Sequence, residues 1–483
     1  MRSIFFILLL LSLHTLAQTP PQPYGALPSK RQLAWHDVEI YGIMHFTPTT
    51  FENKEWGFGD ADPKIFNPTD FNAAQIIKAA KAGGLKGIVL VAKHHDGFAL
   101  WPTKTTAYNI TKSPFRNGKG DLVREIAQAV RKSGLKFGIY CSPWDRNSAL
   151  YGTDQYLALY QSQLKELYSN YGELFMSWHD GANGGDGFYG GAREKRSIDN
   201  TTYYDWKNTW GITRKMQPMA NIFSDIGLDV RWVGNEEGHA AETSWATFTP
   251  MAPDGKSEAV PGQANYPQSP EGIRNGKFWM PAECDVPLRK GWFYHPAEKP
   301  KTPEMLFDLY LKSVGRGAGL DLGLAPDPRG QLHDDDVIAL KTFGDMVRNT
   351  FANNLAKGAQ IKASNSRGKN YFAGKLLDGN KNTYWATNDK IHEATIEVNL
   401  KTAKTFDIIS LQEYIPLGQR IAGYDIEILE KNTWKKIYTG TSIGAKRLIK
   451  LEQPVHSNKV RINITKSPVC ITLSEVGFYK KAL

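Results

Sequence analysis

The sequence predicts an α/β fold, a (β/α)8-like barrel, followed by an all-β sandwich. Between about residues 40 and 351, short apolar runs alternate with segments of helical spacing, a pattern typical of a parallel sheet. The length of this alternation favours a barrel over a doubly wound open sheet, and no Gly-rich phosphate fingerprint follows the first strand. From residue 361 onward, short alternating strands replace the helical periodicity, which predicts the sandwich.

The elements of the barrel half follow one another in a regular order. Strands are predicted at residues 40–46, 85–92, 135–140, 174–178, 220–223 and 278–282, and helices at 71–82, 121–134, 156–168, 203–216 and 305–314. Asp70 and Asp121 are the predicted N-caps of the first two helices, and Gly83 with Gly84 ends the first of them. In the sandwich, strands are predicted at 395–400, 406–411, 423–429 and 459–464.

The chain divides into a predicted signal peptide at residues 1–17, a catalytic barrel at 18–352 and a sandwich module at 353–483. Arg2 precedes an apolar run, residues 4–13, which has the length of a signal-peptide core and is too short to span a bilayer. Ala17 is a suitable cleavage residue, and no cysteine follows the run to carry a lipid anchor. No later segment reads as a membrane span. We therefore expect an exported protein, periplasmic or secreted; the alternative is an N-terminal helix that is retained.

Composition argues against several classes of protein. The three cysteines, Cys141, Cys284 and Cys470, are too few for a disulfide framework, and no Cys-x-x-Cys pair offers a zinc site. The net charge of +10 is spread along the chain rather than gathered on one basic helix, so no nucleic-acid partner is predicted. The 13 Trp, 21 Tyr and 22 Phe suit a sugar-binding cleft, although a large core would use them equally well.

Polar side chains follow the predicted barrel strands at the points where the strands end. They are His45, His94, His95, Tyr140 and Asp180, and the loop after the first strand adds Glu55 and Trp56. Because the carboxyl ends of barrel strands meet on one face, these side chains should converge, although any single histidine is more often structural. Adjacent strand residues point to opposite faces, so His94 and His95 are not expected to hold one metal ion. At a strand end, both can instead hydrogen-bond the hydroxyl groups of a ligand.

Asp180 becomes a catalytic candidate only if a second carboxylate lies within reach. The candidates are Glu236 and Glu283, and the residues alone do not choose between them. Two carboxyl groups across a glycosidic bond are the minimal apparatus for hydrolysis. A retaining enzyme holds them about 5–5.5 Å apart and an inverting enzyme about 6.5–9.5 Å apart, and both mechanisms stay open at this point.

Six blocks of the sequence carry a family resemblance. They are His45; Glu55-Trp56-Gly57; KHHDGFALW at residues 93–101; WHDGA at 178–182; RWVGNE at 231–236; and GWFYH at 291–295. Together they resemble the retaining α-L-fucosidases of glycoside hydrolase family 29, from about residue 30 to 350. The resemblance implies an exo-acting α-L-fucosidase with Asp180 as nucleophile and Glu236 as acid/base. The RWVGNE block is similar to the subgroup that favours α-1,3/1,4-linked fucosides.

The resemblance also implies a set of sugar-binding residues. It assigns fucose contacts to His45, Glu55, Trp56, His94, His95, Tyr140 and Trp178, and we add Trp232, Glu283 and Trp292 as further substrate-binding candidates. The hydroxyls of fucose need polar donors and acceptors, whereas its methyl group and apolar face need Trp. Trp292 suits core packing equally well, and Glu283 is expected to line the cleft. The expected partners are fucosylated oligosaccharides or glycoconjugates; the alternative is a catalytically silent glycan-binding protein.

Two features depart from the family pattern. His179 stands where the family usually has Phe; it should face away from the nucleophile, yet a protonatable neighbour could shift the pH profile. Residues 188–196 form an apparent insertion, which leaves the linkage preference in doubt.

The second domain shows a separate resemblance. The block from Asp378 to Trp385 is similar to discoidin-like jelly-roll or family 32 carbohydrate-binding modules. Such modules often hold a structural calcium near this loop, and Asp378 is its candidate ligand; no other metal or cofactor is expected.

Overall fold

The structure, a computed structural model, describes residues 19–224, 228–263 and 267–482. The predicted signal peptide, residues 1–17, lies outside these ranges. Within them, a parallel sheet with its helices is followed along the chain by an antiparallel domain. Among the helices in the described ranges, none is long and apolar enough to cross a membrane.

Eight parallel strands form the first sheet. They are β1 (Ile40–Met44), β2 (Gly87–Lys93), β3 (Lys136–Cys141), β4 (Met176–Trp178), β5 (Asn221–Phe223), β6 (Arg231–Trp232), β7 (Ala282–Pro287) and β8 (Gly319–Leu324). Their order in the sheet is β5-β4-β3-β2-β1-β8-β7-β6. A parallel bridge between Phe223 and Val230 joins the two ends, so the barrel is nearly closed. The predicted fold class is confirmed.

Helices surround the barrel. They are α1 (Lys30–Val38), α2 (Pro48–Phe51), α3 (Ala73–Ala82), α4 (Leu122–Lys132), α5 (Asp154–Asn170), α6 (Trp206–Met216), α7 (Pro303–Lys312) and α8 (Asp334–Phe351). Asp121 caps α4 as predicted, with its Oδ1 accepting from the backbone N–H of Arg124 at 3.0 Å. The predicted cap Asp70 is wrong. Asn72 caps α3 by accepting from Gln75 N–H at 3.0 Å, because the chain enters the helix two residues later.

The last quarter of the barrel differs from the sequence prediction. The predicted strand at 278–282 is not a barrel strand: Phe278–Trp279 pairs antiparallel with Thr247–Phe248, and the barrel strand is β7, which begins at Ala282. Strand β8 and helix α8 were not predicted. The sequence of β8, GLDLGL, has glycine at two of six positions, and glycine weakens a strand pattern because it lacks a side chain to pack.

The second domain is an antiparallel sheet around its own core. Its strands are β9 (Gln360–Ala363), β10 (Trp385–Ala386), β11 (Ala394–Glu413), β12 (Gly423–Glu430), β13 (Thr433–Gly440), β14 (Arg447–Lys466) and β15 (Thr472–Tyr479). β11 and β14 pair along most of their length, with register shifts between Asn399 and Lys404 and between Phe406 and Ile408. Such irregularities bend a sheet, and the inner face buries the apolar alternation that the sequence shows. The predicted sandwich class is confirmed.

The two domains are joined by apolar packing and by hydrogen bonds from the first described segment. Ile408 and Leu448 of the sandwich belong to the main hydrophobic cluster of the barrel. The segment 19–24 runs along the sandwich: Thr19 C=O accepts from Arg367 Nε at 2.7 Å, and Tyr24 N–H donates to Leu417 C=O at 3.0 Å. The sandwich is therefore packed and hydrogen-bonded against the rest of the chain.

Candidate active site

A cavity of about 640 Å³ opens at the carboxyl ends of the barrel strands. Its lining includes the predicted residues His45, Glu55, Trp56, His94, His95, Tyr140, Trp178, Asp180, Trp232, Glu236 and Trp292. Ile43, Gly181, Ala182, Phe223, Asp285, Lys290, Gly291, His295 and Glu298 complete it. The convergence expected from the strand ends is therefore observed. A concave site with aromatic walls and a few polar groups is the usual form of a small-ligand pocket.

Asp180 is held by donors on both of its carboxylate oxygens. Its Oδ1 accepts from the backbone N–H of Ala182 at 2.8 Å, and its Oδ2 accepts from the Tyr140 hydroxyl at 2.8 Å. Burial, with the neighbouring Asp180, raises the pKa of Tyr140 far above its usual range, so this phenol keeps its proton and donates. Donors of this kind favour the charged form of a carboxylate and fix its orientation.

The proton of His95 can be placed from its partners. Ser142 Oγ donates to Trp144 C=O at 2.7 Å, so toward His95 it accepts, and His95 Nδ1 carries the N–H at 2.7 Å. Burial lowers the pKa of His95 to about 4, against the attraction of Asp180, so the ring is neutral near pH 7. Its Nε2 lies 3.6 Å from Asp180 Oδ2 and carries no proton, so it can accept a hydrogen bond from a ligand hydroxyl group.

His45 and His94 are neutral as well. Burial lowers the pKa of His45 to about 3 and that of His94 well below its ordinary value. Their Nδ1 atoms are buried and have no hydrogen-bond partner within the described ranges. His94 and His95 both face the cavity, with ring centroids 4.1 Å apart, because β2 ends at Lys93 and the alternation stops there. No group of His, Cys, Asp or Glu in the described part of the chain is arranged to hold a metal ion.

Aromatic side chains form the walls. Trp178 stacks on Phe223 with centroids 4.1 Å apart and lies 5.0 Å from Tyr140. Trp292 lies 5.4 Å from His45, in the space that Gly323 leaves, since a Cβ there would meet the indole at 2.8 Å. Trp56 is 49% exposed, with its ring edge-on to His95. Aromatic faces of this kind suit the apolar side of a small ligand.

Glu55 fastens the loop after β1 to the segment that carries Trp292. Its carboxylate accepts from the backbone N–H of Trp292, from that of Phe293 at 3.4 Å, and contacts His295 Nε2 at 2.9 Å. His295 belongs to the GWFYH block and lines the cavity, although the sequence predicts no sugar contact for it. The placement shows that Glu55 orients the Trp292 wall as well as lining the cavity.

Glu236 follows β6 and is exposed to the cavity. Partial burial raises its pKa; the charges of Asp180 and Glu55 act in the same direction, and a hydrogen bond with Trp292 opposes them. A carboxyl group whose proton is retained in this way is suited to donate it. Asp180 and Glu236 thus face one cavity from different electrostatic surroundings.

Glu283 does not line the cavity, contrary to the expectation. It is fully buried in the barrel, where it accepts from the Trp178 indole N–H at 2.7 Å and hydrogen-bonds the Tyr41 hydroxyl. Burial raises its pKa to about 7. The β7 carboxyl that reaches the cavity is Asp285, which accepts from the Trp232 indole N–H at 2.6 Å. Period-two alternation from Glu283 could have identified Asp285 as an inward residue near the strand end.

His179 points away from the cavity, as strand alternation predicts. Tyr160 donates to Cys141 C=O at 3.1 Å, so His179 Nδ1 donates to Tyr160 at 2.8 Å and its Nε2 accepts from Ser177 at 3.0 Å. Burial lowers its pKa to about 3. The His179 ring is therefore uncharged near pH 7, and this does not support the expectation that its protonation shifts the pH profile.

The apparent insertion at 188–196 belongs to a hairpin in which Gly185–Gly187 pairs with Glu194–Arg196. Tyr189 accepts from the Trp144 indole N–H at 3.0 Å, and the Trp144 ring lies 5.6 Å from that of Trp56. No residue of 188–196 lines the described cavity. The hairpin therefore supports the aromatic wall from behind.

Comparison with known proteins gives a consistent result. The family model "Alpha-L-fucosidase" matches residues 26–350, and the "F5/8 type C domain" model matches residues 360–476. "Alpha-L-fucosidase 1" of Arabidopsis thaliana is 38% identical over 488 residues, covering 98% of this chain and 93% of that protein.

Solved structures agree with the sequence comparison. A glycoside hydrolase 29 family member from an unknown rumen bacterium superposes with a TM-score of 0.84 at 35% identity, over 96% of this chain and 78% of that one. A Ruminococcus gnavus GH29 fucosidase in complex with fucose gives 0.85 at 30% identity, over 97% and 98%. The similarity thus extends across both domains.

Proposed function

Because the chain belongs to the α-L-fucosidase family, over a match at residues 26–350, we propose that it removes terminal α-L-fucosyl groups from glycans by a retaining double displacement. The chain is a glycoside hydrolase of the α-L-fucosidase type. The proposal concerns its stereochemistry, its catalytic residues and its linkage preference. The observation that carries it is that Asp180 and Glu236 line one cavity from contrasting surroundings.

In the first step, an oxygen of Asp180 forms a bond to the anomeric carbon while the bond from that carbon to the leaving oxygen breaks. Glu236 transfers its proton to the leaving oxygen. In the second step, Glu236 takes a proton from water, the water oxygen bonds to the anomeric carbon, and the ester bond to Asp180 breaks. Tyr140 and the Ala182 N–H hold Asp180 for the attack. Each step inverts the anomeric centre, so the released fucose has the α configuration of the substrate.

Azide separates Glu236 from its rival Glu283. In Glu236→Ala, azide needs no general base and attacks the fucosyl-enzyme, so we expect an activated aryl fucoside to yield α-fucosyl azide at a restored rate. Glu283→Ala should show no rescue, because Glu283 lies behind Trp178 rather than in the cavity. Rescue of Glu283→Ala combined with near-normal activity of Glu236→Ala would overturn the assignment. Release of β-fucose, followed by NMR in the first seconds, would overturn the retaining mechanism.

For the leaving group we propose an α-1,3- or α-1,4-linked sugar. The RWVGNE block at residues 231–236 supports this preference, and its Trp232 and Glu236 lie at the cavity. A panel of fucosylated oligosaccharides with α-1,2, α-1,3, α-1,4 and α-1,6 linkages tests it. Equal rates on all four would contradict the proposal. The presence of both Asp180 and Glu236 in the cavity lining favours hydrolysis over the alternative, a silent glycan-binding role.

In the sandwich we propose a structural calcium at the loop that begins with Asp378. A buried Glu475 Oε1 lacks a hydrogen-bond partner among the described residues, and burial together with Asp378 raises the pKa of Glu475 to about 7. Asp378 already accepts from Asn380 N–H at 3.0 Å and from the Thr383 hydroxyl at 2.6 Å, so the uncompensated oxygen is that of Glu475. A hard cation beside both carboxyl groups would compensate it, and backbone carbonyls would have to supply most of the cation's ligands. Calcium should raise the thermal unfolding midpoint over that in EDTA, and Glu475→Gln should remove the difference.

We also propose that the protein is exported, on the strength of Arg2, the apolar run at 4–13 and Ala17. Cell fractionation with N-terminal mass spectrometry tests this. An intact residue 1 in a cytoplasmic fraction would contradict it.

A further inference from the structure

The loop that carries Glu236 continues beyond the barrel and rests on the sandwich. We call residues 233–246 the acid/base loop. Its first half is held by the barrel: Val233 N–H donates to Glu283 C=O at 2.9 Å, and Ala240 N–H donates to Lys312 C=O at 3.1 Å. Between these anchors, the Asn235 side chain accepts from Glu237 N–H at 3.1 Å and so closes the turn that presents Glu236.

The second half of the acid/base loop is bound by side chains of the sandwich. Gln419 makes two bonds to the loop backbone: its Nε2 donates to Ser244 C=O at 3.0 Å, and its Oε1 accepts from Ala246 N–H at 2.8 Å. Ser442 Oγ accepts from Ser244 N–H at 2.8 Å. Gln419 and Ser442 are both buried, so these bonds are sheltered from water.

A charged contact adjoins these bonds. Arg447, fully buried in the sandwich, donates to Glu242 C=O at 2.7 Å, and its own Nε is fixed on Ser442 C=O at 3.0 Å. The Glu242 carboxylate accepts from Tyr438 at 2.8 Å on the sandwich side and pairs with Arg316 at 2.7 Å on the barrel side. The loop is therefore clamped between the two domains at Glu242.

Asp180 has no such dependence on the second domain. The donors that the structure gives to it, Tyr140 and Ala182, are both in the barrel. Removing sandwich contacts should thus disturb one catalytic carboxyl group and spare the other.

We propose that the sandwich domain positions the acid/base of the barrel, with Gln419, Ser442 and Arg447 as positioning residues for Glu236. The proposal rests on the proposed role of Glu236. It gives the appended domain a part in the chemical step, through the backbone of residues 242–246, whether or not that domain also binds glycan.

The dependence of kcat/KM on the acidity of the leaving group tests this proposal, because a purely structural role of the sandwich would not change that dependence. An acidic phenol departs without protonation, whereas a weakly acidic phenol or a sugar needs the proton of Glu236. The value of kcat/KM reports the first, fucosyl-transferring step. For Gln419→Met and Ser442→Ala we expect kcat/KM on phenyl α-L-fucoside to fall on the order of tenfold, and that on 2-chloro-4-nitrophenyl α-L-fucoside to change less than about threefold.

The matched control is Lys381→Met. Lys381 pairs with Asp37 across the same two domains but does not touch the acid/base loop, so this variant should leave both kcat/KM values unchanged. Thermal unfolding of each variant confirms that the full-length protein is folded under assay conditions.

Glu236→Ala in the same series separates the two hypotheses. If it shows the strong leaving-group dependence and the Gln419 and Ser442 variants do not, the sandwich has no positioning role while the acid/base assignment stands. An equal fall on both substrates in those variants would also overturn the proposal. If Glu236→Ala shows no leaving-group dependence, the acid/base assignment itself is wrong.

Discussion

The two carboxyl groups proposed as catalytic, Asp180 and Glu236, differ in what holds them. Asp180 follows a barrel strand directly and receives the Tyr140 hydroxyl and the Ala182 N–H, both at 2.8 Å. Glu236 lies on a turn, is exposed to the cavity, and has its pKa raised by partial burial and by the charges of Asp180 and Glu55. Retaining hydrolysis requires two carboxyl groups in different protonation states, because one must attack as an anion and the other must begin protonated. The difference shows how one barrel face can supply both functions.

The largest effect is expected from Asp180, the proposed nucleophile. Asp180→Asn keeps the shape and the hydrogen-bond partners but removes the negative charge that attacks the sugar. We expect kcat/KM on an aryl fucoside to fall by at least about 10⁴-fold. Residual activity within about tenfold of the wild type would exclude Asp180 as the nucleophile.

Tyr140 tests the support of the anion. Tyr140→Phe deletes the donor that fixes Asp180 Oδ2, and a displaced nucleophile meets the anomeric carbon less often in line, so we expect kcat/KM to fall on the order of 10²-fold. The matched control is His179→Phe, which also changes a residue beside the nucleophile but on the face turned away from the cavity; it should stay within a few-fold of the wild type. Similar losses in both variants would mean that local packing, rather than the donor, is being measured.

The pH profile tests the other half of the contrast. The pKa of Glu236 is raised, and the proposed acid acts in its protonated form, so kcat/KM should decline on the alkaline side as that proton is lost. In Glu236→Ala this decline should disappear for a substrate with an acidic leaving group. A persisting alkaline limb would assign it to another group.

The smallest effect concerns the buried support of Trp178. The pKa of Glu283 is raised by burial from 4.5 to about 7, so the folded protein holds a proton there that the unfolded chain loses above pH 4.5. This contribution to stability is complete below pH 4.5 and is lost as pH rises through 7. Glu283→Gln should therefore flatten the fall of the thermal unfolding midpoint between pH 5 and 8. Exposed Glu237→Gln is the control and should leave the slope unchanged.

The sequence identified most of the site because barrel geometry is repetitive. His45, His94, His95, Tyr140 and Asp180 follow or end strands whose apolar runs are unmistakable, and a barrel brings such positions to one face. Asp285 is not among the predicted residues, although it lies two residues after Glu283 and therefore on the same face of the strand. The two glycines of strand β8 weaken its apolar pattern, so the sequence does not predict it. The apolar run at 278–282 resembles a barrel strand, but its first two residues pair outside the barrel with Thr247 and Phe248.

The support of Glu236 could not be predicted in the same way. The bonds from Gln419 and Ser442 join segments more than 170 residues apart; Ala246 and Gln419, for example, are separated by 173 residues along the chain. The periodicity of a local sequence segment contains no information about contacts between residues so far apart along the chain. The resemblance of the RWVGNE block identified Glu236 but gave no information about what fixes the far end of its loop.

The hydrogen bonds of the segment 19–24 to the sandwich bear on how such an enzyme could be engineered. Thr19 and Tyr24 contact the domain that lies at the opposite end of the sequence, so the first and last parts of the described chain close on each other. Cutting the protein near residue 353 would strip that leading segment of its partners and expose Ile408's neighbours in the barrel cluster. The two domains should accordingly melt as one cooperative unit, and the barrel is a poor candidate for grafting onto a different appendage.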